Sequence, residues 1–187
     1  GFGFYGEDDV WDFYCGKRKV EKPLPVICIP TLAAAGAEVS WSAVVSNIDE
    51  KRKIGLRNPI NRPAVAIVDP TYTFSVPPFQ TACGIIDIMS HTLETYFSST
   101  MALQDSISEG IQKSAIHAGR RAMMNPKDYD ARAELLWASE LSIMQISSFG
   151  RSNVATIIHT IEHMLSAHID AVTSPFWQRK ELPLPSG

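Results

Sequence analysis

The chain has 187 residues, of which 45% are hydrophobic and 20% are charged, and its formal net charge is −3. These values are typical of a soluble globular protein with one domain or two small ones. The slight acidic excess and the lack of a basic, aromatic-rich run argue against a nucleic acid or an anionic membrane as a partner.

The cysteines and the apolar tracts indicate the compartment. The three cysteines are irregularly spaced, which favours free thiols in a reducing environment over a disulfide framework. The longest apolar tract, residues 24–45, is interrupted by two prolines, a glycine and a glutamate, so it is not a membrane span. We therefore predict a cytoplasmic protein.

The first part of the chain contains the segments that predict β-strands. Continuous apolar runs near residues 25–30 and 64–69 are typical of strands buried on both faces. We expect these two strands to pair in a parallel or mixed sheet. Residues 41–45 predict another extended segment, and the polar residues 47–53 predict a turn.

A run of small residues follows the first predicted strand. Residues 31–38 have the sequence TLAAAGAE. Small side chains let another backbone or a ligand approach closely, and in α/β sheets the loop after a buried strand is where cofactors bind. A tight packing corner explains the same composition, and the loop alone favours that alternative.

The pattern becomes helical at Pro78. Apolar periodicity and chain breaks predict helices near residues 78–98, 102–124, 128–149 and 153–170. Asp128 or Asp130 is suited to cap the third of them. Because the chain is strand-rich before about residue 73 and helical after it, we place a domain boundary there. Residues 173–187 show no helical periodicity.

The first long helix carries one polar stripe. Asp87, Ser90, His91 and Glu94 follow the i, i+3, i+4, i+7 spacing of a single helical face. The residues around them are mostly apolar, which predicts a buried helix. A carboxylate and an imidazole inside a protein are costly unless each finds a partner, so the stripe needs one.

The last helix repeats this pattern with His159, Glu162, His163 and Ser166 in an apolar surrounding. The His-x3-His spacing places two imidazoles on one helical face, as metal ligation or a ligand plus a proton carrier would require. Two matching stripes on two buried helices predict one site between them. Asp and His together suit Fe(II) or Zn(II), and the residue types leave both metals open.

Several motifs in a fixed order indicate a family. The chain resembles the iron-containing (group III) alcohol dehydrogenases from about residue 11 to about residue 173. The segments that carry the resemblance are residues 11–14 (WDFY), 30–38 (PTLAAAGAE), 68–72 (VDPTY), 84–94 (GIIDIMSHTLE), 129–132 (YDAR) and 159–166 (HTIEHMLS).

The resemblance implies a fold and a metal centre. Residues 1–73 would be a partial α/β dinucleotide-binding domain and residues 74–172 an all-helical metal-binding domain, an incomplete version of the dehydroquinate synthase-like architecture. Asp87, His91 and His159 would bind Fe²⁺ or Zn²⁺ in the cleft between the domains. His163 would lie beside the nicotinamide and help to carry the alcohol proton.

The resemblance also implies an NAD or NADP site. Thr31 and Gly36 fall in the family's cofactor-contacting loop. Three departures weaken the match: the family's glycine-rich phosphate loop lies upstream of the matching segment, Ala35 replaces a usual Thr, and Thr173 stands where a fourth metal ligand, a His, is expected. We therefore expect weak dinucleotide binding and partial metal occupancy.

Our interpretation is a fragment, truncated at both ends, of a metal-dependent NAD(P)-linked dehydrogenase that acts on a small alcohol or aldehyde and is weakly active or inactive alone. The features are compatible with a homo-oligomer. A non-catalytic helical remnant is one alternative. A metal-dependent hydrolase is another, in which Glu94, Glu162 or His163 would serve as the general base.

Overall fold

The computed structural model describes residues 9–20, 23–144, 146–152 and 156–169. The described helices are α1 (Val10–Tyr14), α2 (Pro78–Tyr96), α3 (Ala102–Met124), α4 (Tyr129–Ile143) and α5 (Ile157–His168), and the described strands are β1 (Ile27–Cys28), β2 (Ser42–Asn47), β3 (Arg52–Arg57) and β4 (Val65–Ala66). Short 3-10 turns lie at Pro59–Asn61, Pro70–Thr73 and Ile146–Ser148. None of the described helices is long and apolar enough to cross a membrane.

The predicted pairing of the two apolar strands is confirmed. Strands β1 and β4 are parallel, with Ile27 opposite Val65. The expectation that they are buried on both faces is wrong for the described residues, since Ile27 is 67% exposed and Val65 is 50% exposed. A sheet of two short strands gives these side chains too few neighbours to cover them.

Strands β2 and β3 form an antiparallel hairpin in which Ser42 pairs with Arg57 and Asn47 pairs with Arg52. The predicted turn at 47–53 is therefore partly wrong. Its last two residues, Arg52 and Lys53, already belong to β3. Their charge suggested a loop, but a hairpin strand with an open face accommodates charged side chains.

The helices form around a small-residue core. Helices α2, α3 and α4 pack on one another, and alanines let the backbones come close. The buried core residues are Ile88, Ile111, Ala115, Ala118, Ala122, Ala131, Leu135 and Ala138. The core therefore lies on one side of α2, which leaves Ile86 61% exposed. The prediction that α2 is buried all round is wrong for this reason.

The helix ends follow local chemistry. Helix α2 begins at Pro78 and α3 spans residues 102–124, both as predicted. The Asp128 side chain caps α4 by accepting the backbone N–H of Ala131. The predicted third helix, 128–149, is too long, because the chain leaves α4 after Ile143 and turns so that the Ser147 hydroxyl bonds that of Thr95 at 2.9 Å.

Helix α5 differs most from expectation. The predicted helix begins at residue 153, but residues 153–155 lie outside the described residues. None of the α5 residues is buried, and its apolar residues face outward, with Met164 64% exposed. Its polar side chains contact α2 and β3. The prediction that it is a buried helix is wrong for the described residues, because a helix is buried only where its apolar stripe has a partner.

The small-residue loop, residues 31–40, is held by close contacts. A Cβ atom at Gly84 on α2 would overlap the carbonyl oxygen of Ala33, and Gly36, with φ of +54°, packs against Ser139 and Ile143 of α4. The packing corner considered for this loop is therefore present. The contact between Ala33 and Gly84 places the loop one helical turn before Asp87 on α2.

A buried carboxyl pair also fixes this loop. Glu38 at the end of the loop and Glu140 on α4 are both buried and are hydrogen-bonded to each other. Burial raises the pKa of each carboxyl, and at Glu140 the negative charge of Glu38 and the hydrogen bond with it raise the pKa further. A shared proton lets two acids lie together in the interior.

Replacing Gly84 with Ala should destabilise the fold. The added methyl group must displace the Ala33 backbone, and overpacking of this kind costs about 1–3 kcal/mol. Gly110→Ala is the matched control, because that helical glycine has open space around it. Alanine there should raise the free energy of unfolding by about 0.5–1 kcal/mol. Urea unfolding of both variants tests this. Equal free energies of unfolding would contradict the close contact.

Candidate metal centre

Most of the wall of a cavity of about 770 Å³ comes from four structural elements. They are the loop of residues 31–40, the β2–β3 hairpin, α2 and α5, and Ile143 at the end of α4 also lines it. The apolar and neutral part of the wall includes Leu32, Ala34, Trp41, Gln80 and Cys83. The charged part includes Lys53 and Arg57 of the hairpin and residues of the two helical stripes, so the cavity lies where the sequence pattern places a site.

Asp87, His91 and His159 come together at this cavity. One ligand atom from each residue lies within 4.8 Å of the other two. The His91 and His159 rings stack with centroids 4.5 Å apart, and His159 Nε2 lies 3.5 Å from Asp87 Oδ1. The structure thus brings together the three side chains that the sequence selected from two distant helices.

The charges of the three groups are coupled. The hydrogen bond with Asp87 is the main cause that raises the pKa of His159. Burial raises the pKa of Asp87, but its hydrogen bond to His159 and the nearby positive charges outweigh this and lower it. Burial lowers the pKa of His91. His91 therefore favours the neutral, coordinating form, whereas the contacts of His159 favour its protonated form.

Glu94 contacts His159 twice. Its Oε2 lies 2.8 Å from His159 Nδ1, and its Oε1 accepts the backbone N–H of His159 at 2.8 Å. The Glu94 side chain is only 5% exposed. The helical stripe identified Glu94 as a site residue, but its partner could not be read from spacing, because the partner lies 65 residues away.

His163 and Lys53 form the next part of the wall. The His163 ring meets the His159 ring edge-on at 6.5 Å, and burial together with the charge of Lys53 lowers the pKa of His163. Lys53 Nζ lies 2.7 Å from Glu162 Oε1 and 3.1 Å from Ser166 Oγ. Lys53 could not be selected from the sequence, because a lysine among other charged residues has no distinguishing signal.

The two residues expected to contact the cofactor do not lie at the cavity. Thr31 is exposed and Gly36 is buried against α4, and neither lines the cavity, whereas Ala34, Ala35 and Ala37 do. A cofactor role for Thr31 and Gly36 stays a prediction. Thr173, at the expected position of a fourth ligand, lies outside the described residues.

The donors present suit a divalent cation. One carboxylate and two imidazoles form a ligand set used for Fe(II) and Zn(II). His91 Nδ1 is buried and has no hydrogen-bond partner among the described residues. An orphaned buried nitrogen is costly. A cation at this centre would reduce that cost if Nδ1 were the nitrogen that it bound.

Comparisons with known proteins show which family the chain resembles. The family model described as iron-containing alcohol dehydrogenase matches residues 3–70, and the model for the C-terminal part of the Fe-containing alcohol dehydrogenase family matches residues 81–173. The NADH-dependent butanol dehydrogenase A of Clostridium acetobutylicum is 42% identical in an alignment that covers 94% of this chain and 47% of that protein.

Two further relatives extend the comparison. The NADPH-dependent aldehyde reductase YqhD of Escherichia coli is 32% identical over 81% of this chain and 40% of its own length. The crystal structure of NADH-dependent butanol dehydrogenase A from Thermotoga maritima superimposes with a TM-score of 0.86 and 36% identity, over 90% of this chain and 43% of that one. The chain thus spans about half the length of the curated relatives it matches.

Asp87→Asn should lower the pKa of His159 in metal-free protein, because the hydrogen bond with Asp87 is the largest cause of the raised value. A raised pKa stabilises the fold below the ordinary pKa of His and loses this effect as the pH rises through the raised value. The variant should therefore lose stability on the acidic side. NMR titration of the ring protons in a chelator measures the pKa.

Asp12→Asn is the control for this titration, because Asp12 pairs with Lys17 on the exposed surface. It should leave the His159 titration unchanged. An unchanged His159 pKa in Asp87→Asn would show that the contact between these two side chains does not form in solution.

Proposed function

Because the chain belongs to the iron-containing alcohol dehydrogenase family, we propose that it supplies the metal-binding part of an NAD(P)-linked oxidoreductase that interconverts a small alcohol and its aldehyde. The observation that carries this proposal is the meeting of Asp87, His91 and His159 at one cavity. The relatives are named for butanol dehydrogenase and aldehyde reductase activities, which supports this substrate class.

Each residue of the centre has a proposed role. Asp87, His91 and His159 would hold the divalent cation. When bound, that cation would polarise the substrate oxygen, and a nicotinamide dinucleotide would accept or donate the hydride. His163 lies beside the centre, and its lowered pKa keeps the ring neutral and able to accept a proton near neutral pH.

The cavity accounts for where substrate and cofactor would lie. Its wall near the loop consists of Ala34, Ala35 and Ala37, whose short side chains leave room for a flat ring to approach the centre. The helical side supplies the charged groups. An alcohol between the two would have its oxygen near Asp87 and His159 and its proton within reach of the imidazoles.

The contacts engage two of the three general bases considered for the hydrolase alternative. Both carboxylate oxygens of Glu94 are engaged by His159, and Glu162 pairs with Lys53 at 2.7 Å. Neither glutamate is therefore free to activate a water, which leaves His163 as the general base of that alternative. A cytoplasmic location, a homo-oligomer and the choice between NAD and NADP stay predictions.

His159→Ala should abolish divalent metal binding, whereas His163→Ala should leave it nearly intact, because only His159 belongs to the proposed ligand set. Isothermal titration with Zn²⁺ measures both affinities. The affinity of the wild-type chain for Zn²⁺ should decrease as the pH is lowered, since protonated imidazoles do not coordinate. Because the pKa of His159 is raised, the fall should begin at a higher pH than for an ordinary imidazole. Equal losses in both variants would reverse the assigned roles.

Dinucleotide binding by this chain should be weak. No glycine-rich loop joins a strand to a helix N-terminus within the described ranges, and such a loop is what normally holds a pyrophosphate. We expect a dissociation constant for NADH above about 100 μM, less than about 5.5 kcal/mol of binding free energy. Fluorescence titration of the Zn²⁺-loaded chain measures it. Submicromolar binding would reveal a phosphate site elsewhere in the chain.

A further inference from the structure

Glu94 is a buried carboxylate for which the proposed reaction has no direct use. It lies on α2 one turn after His91, and it neither belongs to the three-residue cluster nor lies free for proton transfer. Both of its oxygens point to one residue of another helix, His159. A buried charge with two bonds to the same residue calls for a functional explanation.

The first contact, between Glu94 Oε1 and the backbone N–H of His159, gives a hydrogen-bond partner to the N-terminus of α5. The first backbone N–H groups of a helix lack partners within the helix, and here Thr156 provides no side-chain cap. His159 is the third residue of α5, so its N–H is one of these groups. Glu94 accepts it from outside the helix, and a carboxylate at this end also interacts favourably with the helix dipole.

The second contact selects the protonation site of the His159 ring. A carboxylate accepts hydrogen bonds, so Nδ1 at 2.8 Å from Glu94 Oε2 must carry the hydrogen. In the neutral ring Nε2 then has the free lone pair. That nitrogen is the one that lies 3.5 Å from Asp87, at the centre. Carboxylates that orient metal-binding imidazoles in this way strengthen the site.

Packing alone does not hold His159 in place. Helix α5 has no buried residue, and its apolar side chains point outward. The nearby polar contact from Lys53 reaches Glu162 and Ser166, which lie farther along the helix. The position of the His159 ring therefore depends on α2, and within α2 chiefly on Glu94.

We propose that Glu94 is the positioning residue of the metal centre, which caps α5 through the backbone of His159 and fixes the ring so that Nε2 faces Asp87 and His91. The inference rests on the proposed function only where it concerns the metal. The part that concerns the ring holds for the metal-free chain.

Glu94→Gln is the informative substitution. The amide keeps the size of the side chain but offers one accepting oxygen and one donating nitrogen. If the amide oxygen still accepts the backbone N–H of His159, the amide nitrogen faces Nδ1 of the ring. Nδ1 must then accept a hydrogen bond from the amide, so that the ring hydrogen moves to Nε2. Glu109→Gln is the matched control, because Glu109 also contacts α2, at Tyr96, but does not line the cavity.

Two measurements on the full chain test the proposal. Long-range ¹H–¹⁵N NMR of the histidine rings, recorded above the pH at which the same spectra show that His159 has become neutral, reports which nitrogen carries the hydrogen. Isothermal titration with Zn²⁺ alone reports the metal affinity. We expect the hydrogen on Nδ1 in wild type and Glu109→Gln and on Nε2 in Glu94→Gln, with a loss of Zn²⁺ affinity of about 10–100-fold in that variant.

The outcomes separate the two proposals. If wild type has the hydrogen on Nδ1 but binds no Zn²⁺, the proposed function fails while the positioning of the ring is supported. If Glu94→Gln keeps the hydrogen on Nδ1 and binds Zn²⁺ within twofold of wild type, the positioning role is overturned. If Glu94→Gln does not fold, wild type decides alone, because a hydrogen on Nε2 there contradicts the proposal.

Discussion

The two hydrogen bonds that Glu94 accepts from His159 are the contact on which the candidate centre depends. They join the helix that carries Asp87 and His91 to the helix that carries His159. The other contacts of α5 near the centre are the stacked His91 and His159 rings, the approach of His159 to Asp87, and the bonds from Lys53 farther along the helix. A buried carboxylate is stable here because it accepts one backbone and one ring donor from the same residue.

The two sides of the centre differ in how firmly they are held. Asp87 and His91 stand on α2, whose opposite side is part of the alanine-rich core with α3 and α4. His159 stands on α5, which contributes polar contacts and no buried side chain. Rigid support on one side and polar support on the other make the centre sensitive to charge changes as well as to packing changes.

The loop of residues 31–40 shows how backbone contacts shape the cavity. Gly84 admits the carbonyl of Ala33, Gly36 admits the backbone of α4, and the Glu38–Glu140 pair closes the loop's end. These contacts turn the small side chains of the loop toward the cavity. The same composition that suggested a cofactor loop also satisfies a packing corner, and the structure shows the packing corner directly.

The sequence by itself determined the helices and the two polar stripes, and the family resemblance selected Asp87, His91 and His159 from those stripes. Helical periodicity and the spacing of His and Asp are local properties that the chain expresses wherever it folds. The two apolar runs also predict that β1 and β4 share a parallel or mixed sheet. The helical stripes depend only on residues close together in the chain, whereas this pairing joins Ile27 and Val65.

Tertiary structure alone decided which apolar residues are buried, which groups the charged side chains contact, and that Lys53 lies at the cavity. Apolar strands and an apolar helix predict burial only when another surface covers them, and the described residues leave Ile27 and Met164 exposed. Glu94 meets His159 across 65 residues, and Lys53 meets Glu162 across 109. No local pattern encodes such distances, because they follow from how the elements pack.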